Sequence, residues 1–403
     1  MRMISVRPGA AGVYLFMMYI LYLTGVYFGS IYYVLFLTTV FLSIFSLVSI
    51  TMTGFSLRYN QEFSTDHPLK GEDIVYTFSA TKESGFPSTP VRAVFRNVRQ
   101  GMDVTIPDVR FYPTPNRRFE FNYSIHCPYR GVYTMGLDAL ELIGIFNLLS
   151  FRIPAWTRTF YVYPRIITIG HAPFTEYGGA LSQPGTARGR EEDYTLLESL
   201  VQYRAGLPIR HIAWKKFASL GEPVLKAYNA SSRPGITIYL DTRRRGPESD
   251  AALAAEDCSV EILVALVKYY TEQNIPVSVY GDGWDRFIFP GRDDAMFHEF
   301  HRSTIGVFFS SRLSPAEIFY ADAGDSQFRA STVLFVTHHI DPEIMTLAEL
   351  GSHDTACGAI LNLSSRSASE RLEIEATVEH LKERGALLHT VRNADAIKED
   401  LER

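Results

Sequence analysis

One stretch decides the fold of the C-terminal half of the chain: YRAGLPIRHIAWKKFASLGEPVLKAYNASSRPGITIYLD, from Tyr203 to Asp241. Its last part, Ile236 to Leu240, is an apolar run rich in β-branched residues that ends at a carboxylate. Such a run indicates a buried parallel strand. Open α/β sheets bind ligands at the carboxyl ends of their strands, so Asp241 and the following Thr242 are candidate site residues.

Strands and helices alternate after Asp241. Apolar residues from Val260 to Tyr270 recur on one face of a helix predicted over about residues 250–273. Ser367 and Glu370 form a capping box at the start of a second helix, which Gly385 ends. Further strands are predicted at 276–280, 333–336, 359–363 and 386–391. This order predicts an α/β domain over residues 203–403, with a mostly parallel sheet and helices on both faces.

The N-terminal segment, residues 1–56, is strongly apolar. No charged residue occurs from Ala10 to Phe55, a length that suits two membrane spans of about 20 residues each. A break at Gly29-Ser30 predicts transmembrane helices at about 10–28 and 31–51. Basic residues flank both ends of the segment, so the positive-inside rule places both termini in the cytoplasm. The alternatives are a signal peptide, whose apolar core would be shorter, and a packing hairpin of a soluble protein.

Two further regions lie between the hairpin and the α/β domain. Residues 57–165 contain short alternating stretches interrupted by Pro and Gly, which predict a small antiparallel β-sandwich domain. Residues 166–202 include GGALSQPGTARGREEDY, a polar and Gly-rich sequence that predicts a linker loop. A functional loop is the alternative, because long loops are unusual in compact domains.

Composition excludes several classes of protein. The net charge is -5, which does not suggest a nucleic-acid surface. The three cysteines, Cys127, Cys258 and Cys357, form no CxxC pair and are expected to be buried small residues in a reducing compartment. The motifs G-x-S-x-G, Walker A and H-E-x-x-H are absent, which lowers the case for an enzyme. No cofactor is predicted.

Short motifs are spread along the whole chain. RGVYTMG (130–136), ELIGIF (141–146) and VYP (162–164) precede a spaced set in the opening stretch: Tyr203, Gly206, Arg210, Ile212, Trp214, Ala218 and Lys226. Together they resemble the bacterial domain-of-unknown-function-58 family, with its RGxYxxG, DxFGLF, VYP and REYxxGDxxRxIxWxxxAR motifs and a strand lysine. Val201-Gln202, Leu207 and Ser219 stand where that family has Arg-Glu, Asp and Arg.

The resemblance implies a C-terminal domain similar to von Willebrand factor A domains. In such domains a DxSxS loop binds a divalent metal, and its oxygen ligands suit Mg²⁺. The loop reads Asp241-Thr242-Arg243-Arg244-Arg245 here, and the later Thr-Asp is Thr337-His338. Adjacent cations repel a metal ion, so we expect no metal, with Asp241 the ligand that would remain in a residual site. Asp241 is instead expected to pair with its neighbours or to cap a helix.

Two hypotheses for function are open. The first is a non-enzymatic, membrane-anchored adaptor of the bacterial inner membrane. The resemblance implies a MoxR-type AAA+ ATPase or a transglutaminase-like membrane protein as its partner, in assembly or cell-envelope maintenance. The candidate partner-binding residues are Arg210, Trp214, Lys215, Asp241, Thr242 and His338. The second hypothesis is an enzyme that uses Asp241, Arg210 and His338 in a strand-end cleft. In a structural alternative, Trp214 is a core anchor and Arg210 holds a loop carboxylate.

Overall fold

The chain divides into two units, Met1–Arg165 and Ile166–Arg403. The computed structural model describes residues 4–6, 8–98, 106–174, 197–202, 224–228, 235–247, 249–323, 332–351 and 355–403. Arg210, Trp214 and Lys215 therefore lie outside the described residues.

The N-terminal unit begins with two apolar helices, α1 (Pro8–Phe28) and α2 (Ser30–Ser56). Gly29, with φ at 117°, separates them, a conformation that glycine adopts without steric cost. Both helices are long and apolar enough to cross a membrane. The prediction of two such helices is confirmed. α2 extends beyond its predicted end because its last turns pack against the β strands through Ser49, Ile50, Thr53 and Ser56, all buried.

Two antiparallel sheets complete this unit. One has the order β1 (Ile4–Val6), β8 (Leu149–Pro154), β7 (Gly131–Ile143), β4 (Val91–Val98) and β5 (Val109–Phe111), with β9 (Arg158–Val162) paired to β7. The other has the order β2 (Leu57–Phe63), β3 (Asp73–Lys82) and β6 (Phe119–His126). Side chains from both sheets share one core that includes Tyr76, Phe78, Leu137 and Phe160.

Gln61 joins the two sheets inside that core. Its side-chain oxygen accepts hydrogen bonds from the Tyr76 hydroxyl and the Leu137 N–H, both at 2.8 Å. Its amide nitrogen donates to the Trp156 carbonyl at 3.2 Å. A Cβ atom at position 136 would lie 2.6 Å from the Gln61 oxygen. Gly136 therefore leaves the space that this side chain needs.

The C-terminal unit is built on a mixed, mostly parallel sheet. Its order is β14 (Phe287–Phe289), β13 (Val277–Gly281), β12 (Ile236–Leu240), β15 (Thr332–Thr337), β16 (Ala356–Asn362) and β17 (Leu387–Val391). Only the β13–β14 pair is antiparallel among the described pairs of this sheet. A separate antiparallel pair joins β10 (Leu197–Gln202) to β11 (Val224–Tyr228).

Helices cover both faces of this sheet, as predicted. They are α3 (Asp250–Glu272), α4 (Asp294–Ser303), α5 (Pro315–Ala323), α6 (Pro342–Leu350), α7 (Ala368–Glu383) and α8 (Ile397–Leu401). On one face, α3, α4 and α8 pack around Ile238 and Leu240. On the other, α5, α6 and α7 pack around Tyr239 and Phe335. The capping box of Ser367 and Glu370 is present.

The predicted linker, residues 166–202, is too long at both ends. Ile169 and Ala172 belong to the core around α3, and the Tyr270 hydroxyl donates to the Pro173 carbonyl at 3.1 Å. Residues 166–174 therefore cover α3, because apolar side chains in this stretch have a core to join. At the other end, residues 197–202 form β10, which pairs with the strand that contains Lys226.

Candidate functional site

The strand order of the mostly parallel sheet reverses at β12. The chain passes from β12 to β13 on one side and later adds β15 on the other side. The carboxyl ends of β12 and β15 therefore meet at a topological switch point, the usual ligand position of open α/β sheets. Leu240 is paired with Val336, so Asp241 lies next to Thr337. We call Asp241, Thr242, Arg243, Thr337 and Asp341 the strand-end cluster.

Asp241 is fully buried at the centre of the strand-end cluster. Its Oδ1 accepts hydrogen bonds from the Arg243 backbone N–H at 3.1 Å and from Arg243 Nε at 2.9 Å. Its Oδ2 accepts from Arg243 Nη2 at 2.7 Å and from the Thr337 hydroxyl at 2.6 Å. Both carboxylate oxygens are thus already bonded to groups of the same chain.

Arg243 also joins the β12 loop to the start of α6. Its Nη1 donates to Asp341 Oδ2 at 3.3 Å. The Asp341 Oδ1 accepts from the Glu343 N–H at 3.1 Å and caps α6, whose first residue is Pro342. One guanidinium therefore spans two carboxylates that belong to different strand-end loops, a geometry that suits the planar donor fork of arginine.

The electrostatics of this pair favour ionisation. Burial alone raises the pKa of Asp241, but hydrogen bonds from Arg243 and Thr337 and the charge of Arg243 outweigh it, so the pKa lies below its usual value. Hydrogen bonding to Asp241 raises the pKa of Arg243 in turn. Asp241 is therefore an ion-pair partner of its neighbour, as predicted from the sequence.

A second group of polar contacts links the cluster to the end of β13. The Thr242 hydroxyl donates to the Asp282 carbonyl at 3.2 Å, and its carbonyl accepts the Ser311 N–H at 3.1 Å. The Ser311 hydroxyl donates to the Asp282 carboxylate at 2.6 Å. A cleft of about 360 Å³ lies beside this group and is lined by Asp282, Trp284 and Leu313, among others.

The arginine side chains of the β12 loop point in different directions. Arg243 pairs with Asp241, Arg244 with Glu256 at 2.8 Å, and Arg245 lies 3.8 Å from Glu370. The guanidinium of Arg243 holds both Asp241 oxygens, so these residues do not fit a divalent ion at Asp241. Within the described ranges, no group of three or more His, Cys, Asp or Glu side chains could hold a metal.

Two histidines follow Thr337, with ring centroids 4.5 Å apart. Burial lowers the pKa of His338 to about 4, although the charge of Asp241 acts in the opposite direction. Burial also lowers the pKa of His339. Neither ring nitrogen of His338 forms a hydrogen bond of good geometry within the described part of the chain. His338 is thus a neutral imidazole at neutral pH, near Asp241 but not bonded to it.

The structure brings together Asp241, Thr242 and His338 of the predicted site residues. Arg210, Trp214 and Lys215 lie outside the described residues, so the convergence of Arg210 with Asp241 and His338 stays a prediction. Arg243, Thr337 and Asp341 were not among the candidate site residues. The pair Asp341-Pro342 could have predicted the start of α6, because Asp is a preferred N-cap and Pro a preferred first helical residue.

Comparisons with known proteins assign no family. No family model and no curated protein matches the chain. Among solved structures, the ApaA protein of Bordetella pertussis is 13% identical over 27% of this chain and 92% of its own, with a TM-score of 0.18. Spo0M, a sporulation control protein of Bacillus subtilis, is 12% identical over 31% and 54%, with a TM-score of 0.17.

A variant β-glucosidase of Listeria innocua, in complex with laminaribiose, is 5% identical over 28% of this chain and 17% of its own, with a TM-score of 0.18. The chain thus spans about half of Spo0M and less than a fifth of the glucosidase. Similarities this low assign neither a fold nor a function here.

Proposed function

We propose that this chain is a membrane-anchored adaptor of the domain-of-unknown-function-58 type, whose C-terminal unit binds a protein partner at the strand-end cluster. The observation that carries the proposal is the bonding of Asp241. Both of its oxygens are held by Arg243 and Thr337, so the buried carboxylate is a fixed support of the strand-end loops rather than a free base or metal ligand. Such a rigid polar cluster suits recognition of a partner.

Exposed apolar side chains in the loops that contact the cluster support this proposal, since Ser311 of the loop that contains Phe308 bonds to the Thr242 carbonyl. Phe308 is 73% exposed, Leu313 48% and Ile340 44%. Ile340 directly precedes Asp341, and Leu313 lines the cleft beside Asp282. Apolar side chains around a polar cluster are typical of protein interfaces. The resemblance implies a MoxR-type AAA+ ATPase as the partner, or a transglutaminase-like membrane protein, which is an inference by association.

The strand order supports the von Willebrand factor A-like assignment. When the strands of the mostly parallel sheet are numbered along the chain, their order across the sheet is 3-2-1-4-5-6, and strand 3, which is β14, is antiparallel. This is an order of doubly wound α/β folds that bind ligands at the switch point. The C-terminal unit would then be a degenerate von Willebrand factor A-like domain, in which the Arg243 guanidinium pairs with Asp241 in place of a metal ion.

The attachment of the hairpin supports a topology with both termini in the cytoplasm. β1 precedes α1 and pairs with β8, and β2 follows α2 and pairs with β3. Both ends of the hairpin therefore join the same pair of sheets, which favours one side of the membrane for both. With basic residues at both ends, the positive-inside rule makes that side the cytoplasm of a bacterial inner membrane.

A pull-down from host membranes tests the adaptor function. Tagged full-length protein is compared with a Phe308→Asp, Ile340→Asp variant. Leu350→Asp is the matched control, because α6 begins beside the strand-end cluster and Leu350, 76% exposed, lies at its other end. We expect the ATPase to co-purify with the wild type and the control but not with the double variant. Equal recovery with all three proteins, or recovery with none, would contradict docking at this edge.

A further inference from the structure

The turn between β7 and β8, residues 144–148, contacts both helices of the hairpin. The Phe146 ring lies 5.1 Å from the Tyr14 ring of α1. The Ile145 N–H donates to the Ser46 hydroxyl of α2 at 3.0 Å. A Cβ at Gly144 would lie 3.0 Å from the same hydroxyl. We call residues 144–148 the β7–β8 turn. Its contacts with Tyr14 and Ser46 fix its height, by which we mean its position along the axes of α1 and α2.

The length of helix between these contacts and the Gly29 end of the hairpin measures that height. From Ser46 to the start of α2 at Ser30 there are about 24 Å of helix, and from Tyr14 to Phe28 about 21 Å, at a rise of about 1.5 Å per residue. The hydrocarbon core of a bilayer is about 30 Å thick. A hairpin that crosses this core therefore brings the β7–β8 turn into the membrane with it.

The chemistry of the turn suits that environment. Residues 144–149 read GIFNLL and contain no charge. Ile145 is 49% exposed, and Phe146 and Leu149 are each 37% exposed. These side chains continue the exposed apolar surface of α1, where Val13 is 63% exposed. The β3–β4 loop reaches a similar height, because Phe86 packs 5.7 Å from Phe45 of α2.

We propose that the β7–β8 turn inserts into the bilayer beside the hairpin, with Ile145 and Phe146 at the boundary between headgroups and acyl chains. The inference rests on the membrane anchoring proposed above. Tyr14 lies about 9 Å beyond the first residue of α1, a distance that matches the insertion depth of about 5–10 Å of interfacial apolar segments. The occupant of this surface is lipid, because the turn is continuous with the exposed face of the hairpin.

Spin-label depth measurement tests the proposal on the full-length protein in vesicles of phosphatidylcholine and phosphatidylglycerol. Single cysteines replace Ile145, Asn147, Leu37 and His67 in separate variants. Wild type treated with the same spin-label reagent checks that the buried Cys127, Cys258 and Cys357 do not react. Leu37 reports on the hairpin. His67, exposed beyond the far end of β2, is the control in water. Accessibility to oxygen and to a water-soluble nickel chelate gives the depth of each label.

We expect the labels at positions 145 and 147 to resemble the label at 37, with severalfold higher oxygen accessibility relative to nickel than the label at 67. A hairpin label in lipid with both turn labels in water would overturn this inference and leave the anchoring intact. Turn labels that neither oxygen nor nickel reaches would show that protein covers the turn, and would also overturn this inference. A label at position 37 in water would instead overturn the anchoring itself. Labels at both turn positions guard against local distortion by one substitution.

Discussion

The two units of the chain use buried polar groups in opposite ways. In the N-terminal unit, Gln61 bonds mainly to backbone groups and holds two sheets together. In the C-terminal unit, Asp241 and Arg243 bond to each other at the edge of an open sheet. In the first arrangement, the polar atoms of Gln61 bond only to groups that hold the two sheets together, among the described residues. The second fixes the loops that follow β12 and β15 at the point where they meet, and the surface above it is formed by these loops.

The difference follows from sheet architecture. Two facing antiparallel sheets enclose a polar side chain on all sides, so it must find partners inside the core. A parallel sheet collects the loops after its strands at one edge, and polar side chains there can pair while remaining close to solvent. Variants at both sites should show how much each buried polar group contributes to the free energy of unfolding.

The largest effect is expected from Gln61→Leu. The substitution leaves the Leu137 N–H, the Tyr76 hydroxyl and the Trp156 carbonyl without their partner, and we expect a loss of about 4 kcal/mol in unfolding free energy. Hydrogen exchange of the full-length protein in detergent, read from peptides of β3 and β7, measures it. Asn60→Ala, at an exposed neighbouring position, is the control. A loss below about 1 kcal/mol would mean that Gln61 does not join the sheets.

Asp241→Asn should have the next largest effect. Removing one charge of a buried pair leaves Arg243 uncompensated, at a cost of about 3 kcal/mol, which is moderated by the remaining bond to Asp341. Exchange of peptides from β12 and β15 measures the change. The double variant Asp241→Asn, Arg243→Met should recover part of the stability, since it removes the unpaired cation. A double variant that is less stable than the single one would contradict this account.

His338 should make the C-terminal unit sensitive to acid. Its folded pKa of about 4 is below the ordinary value of 6.5, so the unfolded chain binds more protons between these values and stability falls as the pH falls through this window. At pH 5 the loss is about 2 kcal/mol. His338→Asn should flatten the pH dependence of unfolding between pH 6.5 and 4. An unchanged pH profile would show that His338 is not buried as a neutral imidazole.

The smallest effect is expected at a surface pair of the N-terminal unit. Arg58 and Glu83 lie 3.4 Å apart with side chains 67% and 65% exposed. Exposed pairs of this kind contribute about 0.5 kcal/mol or less. Arg58→Gln should therefore change unfolding by no more than that, and the change should vanish in high salt. A larger loss would mean that charge pairing stabilises the first unit as well.

The sequence predicted some elements well and others poorly, for physical reasons. β12 was predicted with its observed bounds, because a fully buried strand is a continuous apolar run ended by a polar residue. The alternation of β7 is weak in the sequence, because Gly136 and a bulge opposite Val94 and Phe95 interrupt it. The short helices α4, α5 and α6 have nine or ten residues each, too few for a clear helical period.

The candidate site was predicted in part. Asp241 as an ion-pair partner could be predicted, because three arginines follow it directly. Which arginine turns inward could not, since Arg243 is selected by Asp341, a residue almost a hundred positions later whose proximity depends on the fold. The roles of Arg210, Trp214 and Lys215 stay predictions.

The packing of the last turns of α2 has a consequence for how the chain can vary. α2 continues without a break from the hairpin into contact with the sheets, where Ser49 bonds to the Pro87 carbonyl at 2.8 Å. Each residue of an α-helix adds a rotation of about 100° and a rise of about 1.5 Å. Inserting one residue between Thr39 and Ser46 would therefore turn the β strands about the axis of α2 relative to the rest of the hairpin. The length of α2 therefore sets the angle between the β strands of the first unit and the start of the hairpin.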